Sequence, residues 1–188
     1  MPNHQSTAHP FRLHNLWWLL LAVVSIVLDQ YTKHLASTQL TFAEPVPVLP
    51  FLNWTLLHNY GAAFSFLSDA GGWQRYFFTG LAALVSIAFT IWLMRMPTRL
   101  KVLPLAIALI LGGALGNLID RVTLGYVVDF IHVYYQNHHF PAFNIADSSI
   151  TLGTILLIID TFFLEKYRIQ QATAQAASHN AETPKVQE

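Results

Sequence analysis

The chain has 188 residues, of which 54% are hydrophobic and only 11% are charged. Average soluble domains carry roughly 25% charged residues, so this composition is typical of a membrane protein. Ten Lys and Arg balance ten Asp and Glu, which gives no reason to expect nucleic acid or an acidic partner, and the absence of cysteine excludes disulfides, thiolate catalysis and Cys-ligated metal.

The first predicted element is a transmembrane helix at about residues 15–35, preceded by a polar tail at 1–14. The helix contains the unbroken apolar run LWWLLLAVVSIVL. A cleaved signal peptide is the alternative, but no small-x-small cleavage site follows the run. Asp29 and Lys33 lie four residues apart and therefore share one helical face near the far membrane boundary. An ion pair with a snorkelling lysine would explain them without any function.

Residues 36–73 form the first predicted exterior segment. Prolines interrupt its first half and exclude a spanning helix there, while FLNWTLLHN at 51–59 is rich in strand-forming residues. The stretch HNYGAAFSFLSDAGGW at 58–73 is too polar and too interrupted by glycine to cross a membrane. We predict turns at its glycines around one short helix that lies on the membrane face.

Three more transmembrane helices are predicted at about 74–94, 102–120 and 144–164. The second helix contains nineteen consecutive uncharged residues, which at about 1.5 Å per residue can cross roughly 30 Å of hydrocarbon. The third helix ends in GGALG, whose small residues would let neighbouring helices approach closely. The remainder of the chain, 169–188, is poor in apolar residues and is predicted to be a frayed tail.

The second exterior segment, 121–143, contains the predicted strand VVDFIHVYY at 127–135. A lone strand near lipid would leave its backbone groups unpaired, so we predict that it pairs with 51–59. The expected fold is a membrane all-α fold with one domain at 15–168. It is a bundle of four transmembrane helices with a small β-sheet and a short helix on the exterior, periplasmic face.

The distribution of basic residues predicts the orientation. Placing both termini and the 95–101 loop on one side gives that side seven of the ten Lys and Arg. The positive-inside rule then puts the tails 1–14 and 169–188 in the cytoplasm and the two polar segments outside.

Costly polar side chains collect near the exterior ends of the apolar helices, where they need a physical reason. Each has a structural explanation as well. Asn144 is a plausible N-cap with Asp147 at the third helical position, so Asp147 could serve capping alone. Asp120 and Arg121 could neutralise each other at a helix end, and Asp160 beside Lys166 reads as structural. Asp129, in the middle of VVDFI, has no adjacent cation in sequence and is the hardest to dismiss.

The candidate chemistry is a pair of aspartates, Asp129 and Asp147. The nine His offer no metal-binding spacing, and His138 and His139 in a polar loop are interpreted as solvated, so no metal site or cofactor is predicted. The chain also lacks a GxSxG elbow and a phosphate-binding glycine loop. Two close carboxylates share a proton, so that one can activate water while the other donates a proton to the carbonyl oxygen or the leaving amine.

Four blocks resemble lipoprotein signal peptidase, also called signal peptidase II. They are HNYGAAFSFLSDAGGWQR (58–75), GGALGNLIDR (112–121), GYVVDF (125–130) and FNIADS (143–148), and the likeness covers roughly residues 16–165. The resemblance implies a catalytic dyad of Asp129 and Asp147 in the bacterial inner membrane. The supporting polar positions are expected at Asp29, Lys33, Asn59, Gly61, Asn117, Asp120, Arg121 and Asn144.

The resemblance also implies the partners. The substrate would be a prolipoprotein that carries diacylglycerol on a cysteine, cleaved on the amino side of that cysteine while membrane lipid surrounds the enzyme. Globomycin-type inhibitors would occupy the same site. Nothing in the sequence argues for an oligomer, so a monomer is expected.

Two other classes remain as alternatives. Intramembrane carboxylates also mark ion paths in transporters, but transporters usually show internal repeats and midplane sites, neither of which is visible here. A purely structural membrane subunit would leave the convergence of polar groups unexplained.

Overall fold

The structure, a computed structural model, describes residues 13–61 and 71–182. A 3₁₀ turn at Leu13–Asn15 leads into the first helix. The elements in chain order are α1 Leu16–Gln39, β1 Val46–Leu49, β2 Leu52–Asn59, α2 Trp73–Arg95, α3 Val102–Thr123, β3 Val127–Tyr135, β4 His138–His139, α4 Ile145–Ile159 and α5 Glu165–Glu182. A π-helical turn, Asp160–Leu164, joins α4 to α5. The predicted short exterior helix falls at 62–70, outside the described residues.

The four predicted transmembrane helices are confirmed. Within 13–61 and 71–182, four helical stretches are long and apolar enough to cross a membrane: Leu13–Gln39, Trp73–Arg95, Val102–Thr123 and Ile145–Gln171. The first runs four residues beyond its predicted end at 35. Its C-terminal turn is polar, and Thr38 there donates a side-chain hydrogen bond to the His34 carbonyl, so the helix continues after its apolar run has ended.

The third helix forms the centre of the bundle, because α3 packs against α1, α2 and α4. Its small residues make the close contacts that the GGALG sequence predicted. A Cβ added at Gly116 would lie 2.6 Å from Asp29 Oδ2, and one added at Gly113 would overlap the Ala146 carbonyl oxygen. Glycine at these two positions therefore brings the polar ends of α1 and α4 against α3.

The pairing of 51–59 with 127–135 is also confirmed. Strands β2 and β3 are antiparallel, and Leu57 lies opposite Asp129 in the register. The sheet has the order β1-β2-β3-β4, so two short strands that were not predicted flank the central pair. β1 contains Pro47, and proline is tolerated there because β1 is an exposed edge strand.

The C-terminal region differs from its prediction. Residues 169–182 were expected to be frayed, yet α5 continues the fourth helix to Glu182. Asp160, which lies near Lys166 in sequence, was interpreted as structural. It forms a two-bonded ion pair with Arg168, at 3.0 and 2.8 Å.

The contact at Gly116 supports a prediction on stability. Gly116→Ala should lower the free energy of unfolding by about 1–3 kcal/mol, because the new methyl group meets a carboxylate that is itself held in place. Gly80→Ala is the matched control, since nothing lies within 4 Å of its added Cβ and alanine favours a helix by roughly 0.5–1 kcal/mol over glycine. Thermal unfolding in detergent should show a lower Tm for Gly116→Ala only. Equal Tm values for the two variants would contradict the packing account.

Candidate active site

The predicted site residues gather at one end of the bundle, where the sheet meets α1, α3 and α4. They come from three kinds of local structure, which are helix ends, strand positions and one helix cap. The residues placed there are Asp29, Lys33, Asn59, Gly61, Asn117, Asp120, Arg121, Asp129, Asn144 and Asp147.

Asp147 lies in the first turn of α4, three residues past the cap. Asn144 has an extended backbone and its side-chain oxygen accepts a hydrogen bond from the Asp147 backbone N–H at 2.9 Å, as an N-cap does. The carboxylate of Asp147 makes a different contact, accepting from Asn117 Nδ2 at 2.8 Å on Oδ1. Asn144 therefore caps α4, and the carboxylate of Asp147 is held by Asn117 rather than by a cap hydrogen bond.

Asp129 lies in β3 with only 3% of its surface exposed. Its two carboxylate oxygens accept from Asn144 Nδ2 at 2.7 Å and from Asn59 Nδ2 at 3.0 Å. Burial raises the pKa of Asp129 to about 7, and the nearby carboxylate of Asp147 contributes in the same direction, against the lowering effect of the two amide donors. A carboxyl group with this pKa can carry a proton at neutral pH.

Two amides join the two carboxylates. Asn144 bonds the carboxylate of Asp129 through its Nδ2 and the backbone of Asp147 through its Oδ1. Asn144 is completely buried, and its Nδ2 also reaches Asn117 Oδ1 at 3.2 Å. Since Asn117 in turn donates to Asp147, one continuous hydrogen-bond path runs from Asp129 through two amides to Asp147.

Lys33 holds this hydrogen-bond path in place through its contact with Asn117. Its ammonium lies 2.8 Å from Asp29, 2.9 Å from Asp120 and 2.8 Å from Asn117 Oδ1. The pair of Asp29 and Lys33 on one helical face is confirmed, but Lys33 is only 3% exposed and does not snorkel. The ammonium fixes Asn117 with its oxygen toward Lys33, which directs the Nδ2 of Asn117 toward Asp147.

Asp120 and Arg121 make their direct contacts with other residues and not with each other. Asp120 pairs with Lys33 and accepts the Val128 backbone N–H at 3.0 Å, which ties the end of α3 to β3. Arg121 donates instead to the Gly61 carbonyl oxygen at 2.9 Å. Adjacent helical residues differ by about 100° in direction, so they reach different partners.

Arg121 also places positive charge near the carboxylates. Its guanidinium interacts electrostatically with Asp147, Asp129 and Asp120. The Gly61 that it binds is folded back on Asn59, whose Oδ1 accepts the Gly61 backbone N–H at 2.9 Å. Asn59 therefore connects the Asp129 carboxylate to the segment that begins at Gly61.

Sequence reasoning missed two contributors. Gln30 donates to Asp120 at 2.8 Å and to the Gly116 carbonyl at 3.1 Å, and the Ala146 backbone N–H donates to Asp29 at 2.8 Å. Gln30 lies directly between two assigned polar positions, which is a weak signal in sequence. The backbone donor of Ala146 has no sequence signal at all, because any residue type could supply it.

A groove of about 440 Å³ opens beside the carboxylates. Asp147 and Asn59 lie at its polar end, and the rest of its wall comes from the loop after β4 and from one side of α4. The wall residues are Phe140, Pro141, Ala142, Phe143, Ser148, Thr151, Leu152 and Ile155. A larger cavity of about 520 Å³ surrounds Asp160 at the opposite end of the bundle and contains no predicted site residue.

The arrangement suits proton transfer between two carboxyl groups. Asp147 is close enough to raise the pKa of Asp129, the two residues are connected by amides that cannot themselves titrate, and an apolar groove reaches Asp147. Among the residues that the structure describes, no three His, Cys, Asp or Glu side chains are placed to hold a metal ion. A carboxylate at the edge of a groove is chemically able to act as a general base toward water.

Comparison with known proteins gives consistent matches. A family model described as signal peptidase (SPase) II matches residues 21–163. A protein named lipoprotein signal peptidase from Acinetobacter baumannii is 76% identical over 176 residues, which cover 93% of this chain and 100% of the relative. One of the same name from Alteromonas mediterranea is 51% identical over 152 residues, covering 81% and 84%. A solved bacterial membrane enzyme at 2.3 Å resolution has a TM-score of 0.70 and 38% identity, covering 82% of this chain and 94% of that chain.

The position of Lys33 supports a prediction on stability. Lys33→Met should lower the free energy of unfolding by about 3–5 kcal/mol, because Asp29 and Asp120 would remain buried without their cation. Lys166→Met removes an exposed lysine and serves as the control, with little expected change. Chemical or thermal unfolding of the two variants in detergent measures the difference. Unchanged stability of Lys33→Met would show that the ammonium does not hold the network.

Proposed function

Because the chain belongs to the lipoprotein signal peptidase (signal peptidase II) family, proteases that remove signal peptides from prolipoproteins, we propose that it is an aspartic endopeptidase in which Asp129 and Asp147 form the catalytic dyad. The observation that carries this proposal is the double contact of Asn144. One buried amide binds the carboxylate of Asp129 and the backbone of Asp147, so the two residues are positioned as a unit.

The proposed reaction uses one shared proton. The ionised carboxylate removes a proton from water as the water oxygen attacks the peptide carbonyl, while the protonated carboxyl donates to the carbonyl oxygen. The tetrahedral intermediate then collapses, the peptide C–N bond breaks and the leaving amine takes a proton from the dyad. Each oxygen of Asp129 is engaged by an amide, whereas Asp147 accepts one side-chain hydrogen bond and borders the groove.

The groove fits the substrate that the family resemblance implies, a precursor with diacylglycerol on its cysteine. Asp147 lies at the polar end of the groove, and an apolar wall extends from it along α4. Acyl chains could remain in the bilayer while the peptide bond on the amino side of the cysteine meets the dyad. Globomycin-type inhibitors would occupy the same groove. We propose a monomer as the working unit, since the dyad and its supports come from one chain.

Five residues are proposed to position the dyad through their hydrogen bonds and ion pairs: Lys33, Asp29, Asp120, Asn117 and Asn144. Arg121, Gly61 and Asn59 are proposed to support the dyad from its other side, through the contact of Asn59 with Asp129. The chain is a multi-pass membrane protein, and we propose that it lies in the bacterial inner membrane. Its termini would be cytoplasmic and the dyad would face the periplasm, where diacylglyceryl precursors present their cleavage sites.

Replacement of either aspartate tests the dyad. Asp129→Asn and Asp147→Asn keep the size and much of the hydrogen bonding of each side chain but remove the titratable group. Each should lower kcat by at least about 100- to 10,000-fold while the Tm changes little. Cleavage of a lipidated precursor peptide by purified protein gives the rate, with Glu165→Gln, an exposed carboxylate replacement, as the control. Near-normal cleavage by well-folded Asp147→Asn protein would falsify the assignment.

The pKa of Asp129 predicts the pH dependence. As pH rises through about 7 the dyad loses its shared proton, so kcat/KM should decline on the alkaline side. At acid pH the second carboxylate also becomes protonated and the base is lost, so kcat/KM should fall there too. A pH profile of kcat/KM with the lipidated peptide measures both limbs. A flat profile between about pH 6 and 9 would rule out the shared proton.

The orientation can be tested with reporters. A fusion after Lys185 should be cytoplasmic, and an insertion near Asn137, in the turn after β3, should be exterior. Alkaline phosphatase activity for the exterior site and fluorescence of a cytoplasmic reporter for the C-terminal site provide the readouts. The reverse pattern would place the dyad on the side where lipoprotein precursors are not presented.

A further inference from the structure

The outward face of α4 extends the groove beside Asp147 toward the opposite end of the bundle. Thr151 and Ile155 belong to the groove wall. Ile158 and Phe162 follow at spacings of three and four residues, which places all four on one helical face. Ile155, Ile158 and Phe162 are 49%, 49% and 68% exposed. We call this exposed face, formed by Thr151, Ile155, Ile158 and Phe162, the stripe.

No helix of the described chain packs against this stripe. The main helix contacts of α4 are with α3 and α1. They use the opposite face, where Ala146 is fully buried and a Cβ at Gly153 would lie 2.7 Å from the Ala106 carbonyl oxygen. Other apolar stripes are also exposed, such as Leu84 and Ile87 on α2, but α2 packs on α3 and does not border the groove.

We propose that the outward face of the fourth transmembrane helix, from Thr151 in α4 to Phe162 in the π-helical turn that follows it, docks the apolar segment of the substrate's signal peptide as a helix. This inference rests on the proposed function. It adds the route by which the uncleaved part of the substrate crosses the membrane beside the enzyme. The end of that segment would enter the groove next to Asp147, and its other end would lie beside Phe162.

The dimensions agree with this occupant. Signal peptides carry an apolar segment of about 7–15 residues, which spans roughly 10–22 Å as a helix. The twelve residues from Thr151 to Phe162 are separated by eleven steps of about 1.5 Å and so cover about 17 Å. A segment whose cleavage site is held at Asp147 must continue into the bilayer, and the face of α4 is the apolar surface continuous with that position.

The docking requires only modest attraction. Lipid tails are as apolar as the stripe, so burial from water contributes little to helix association inside a membrane. Binding of the cleavage site in the groove instead tethers the apolar segment beside α4 and raises its local concentration there. The stripe would then orient the docked segment by packing against it, with Thr151 and Ile155 near the dyad and Phe162 at the far end.

Cysteine crosslinking can test the route, because the chain contains no cysteine of its own. Single cysteines replace Ile155, Ile158 or Phe162 in the Asp129→Asn background, with Leu84→Cys and Ile87→Cys on α2 as matched exposed controls. The probe is a diacylglyceryl precursor with one free cysteine in the middle of its apolar segment, and its lipidated cysteine cannot form a disulfide. After mild oxidation, the α4 positions should give at least fivefold more enzyme–precursor disulfide than the α2 positions.

Equal crosslinking on both helices, more on α2, or none on α4 would overturn the docking face. Cleavage of the same precursor by the parent protein with both aspartates is measured in parallel. Failure of that cleavage would count against the proposed function. Normal cleavage combined with crosslinks away from α4 would overturn the route and leave the dyad standing.

Discussion

The structure depends on the burial of one ammonium group. Lys33 is enclosed by Asp29, Asp120 and Asn117 at one end of a bundle of apolar helices. Charged groups in such surroundings are costly unless each finds a partner, and removal of one partner leaves the others uncompensated. The lysine therefore fixes the relative positions of α1 and α3, since all three partners and Lys33 come from these two helices.

The same interaction determines the geometry of the candidate dyad. Lys33 orients Asn117, Asn117 contacts Asp147 and Asn144, and Asn144 contacts Asp129. Asp29 adds a second connection by accepting the Ala146 backbone N–H in the first turn of α4. Two carboxylates that would repel each other when both are ionised are thus held by neutral amides at fixed positions. Close packing at Gly116 allows this network to form, because a side chain there would displace Asp29.

Much of the fold could be predicted from sequence because its signals are local. The apolar runs predicted all four helices, and β-branched residues with the need to pair backbone groups predicted β2 with β3. The edge strand at Pro47 was missed because burial and edge position do not appear in sequence. The continuation of helix beyond residue 169 was missed because its composition is polar, whereas the Asp160–Arg168 ion pair stabilises the beginning of this extension.

The sequence predicts which residues form the site, but not which of them contact one another. Motif blocks and the cost of polar groups in membrane singled out the residues that the structure brings together. The partner of Asp120 could not be predicted, because Lys33 is distant in sequence while Arg121 is adjacent. The bridging role of Asn144 could not be predicted from the sequence. Its side chain caps α4 and also contacts Asp129 in β3, which is distant in the sequence from the cap signal.

The most direct test of the account is a double-mutant comparison of Asp129→Asn, Asp147→Asn and the protein that carries both changes. Residues that act as one unit have strongly non-additive effects on rate. If the two aspartates form a dyad, the double mutant should cleave lipidated precursor no more slowly than either single mutant. Losses of kcat that multiply in the double mutant would show that the two carboxylates contribute independently, which would contradict the shared-proton dyad.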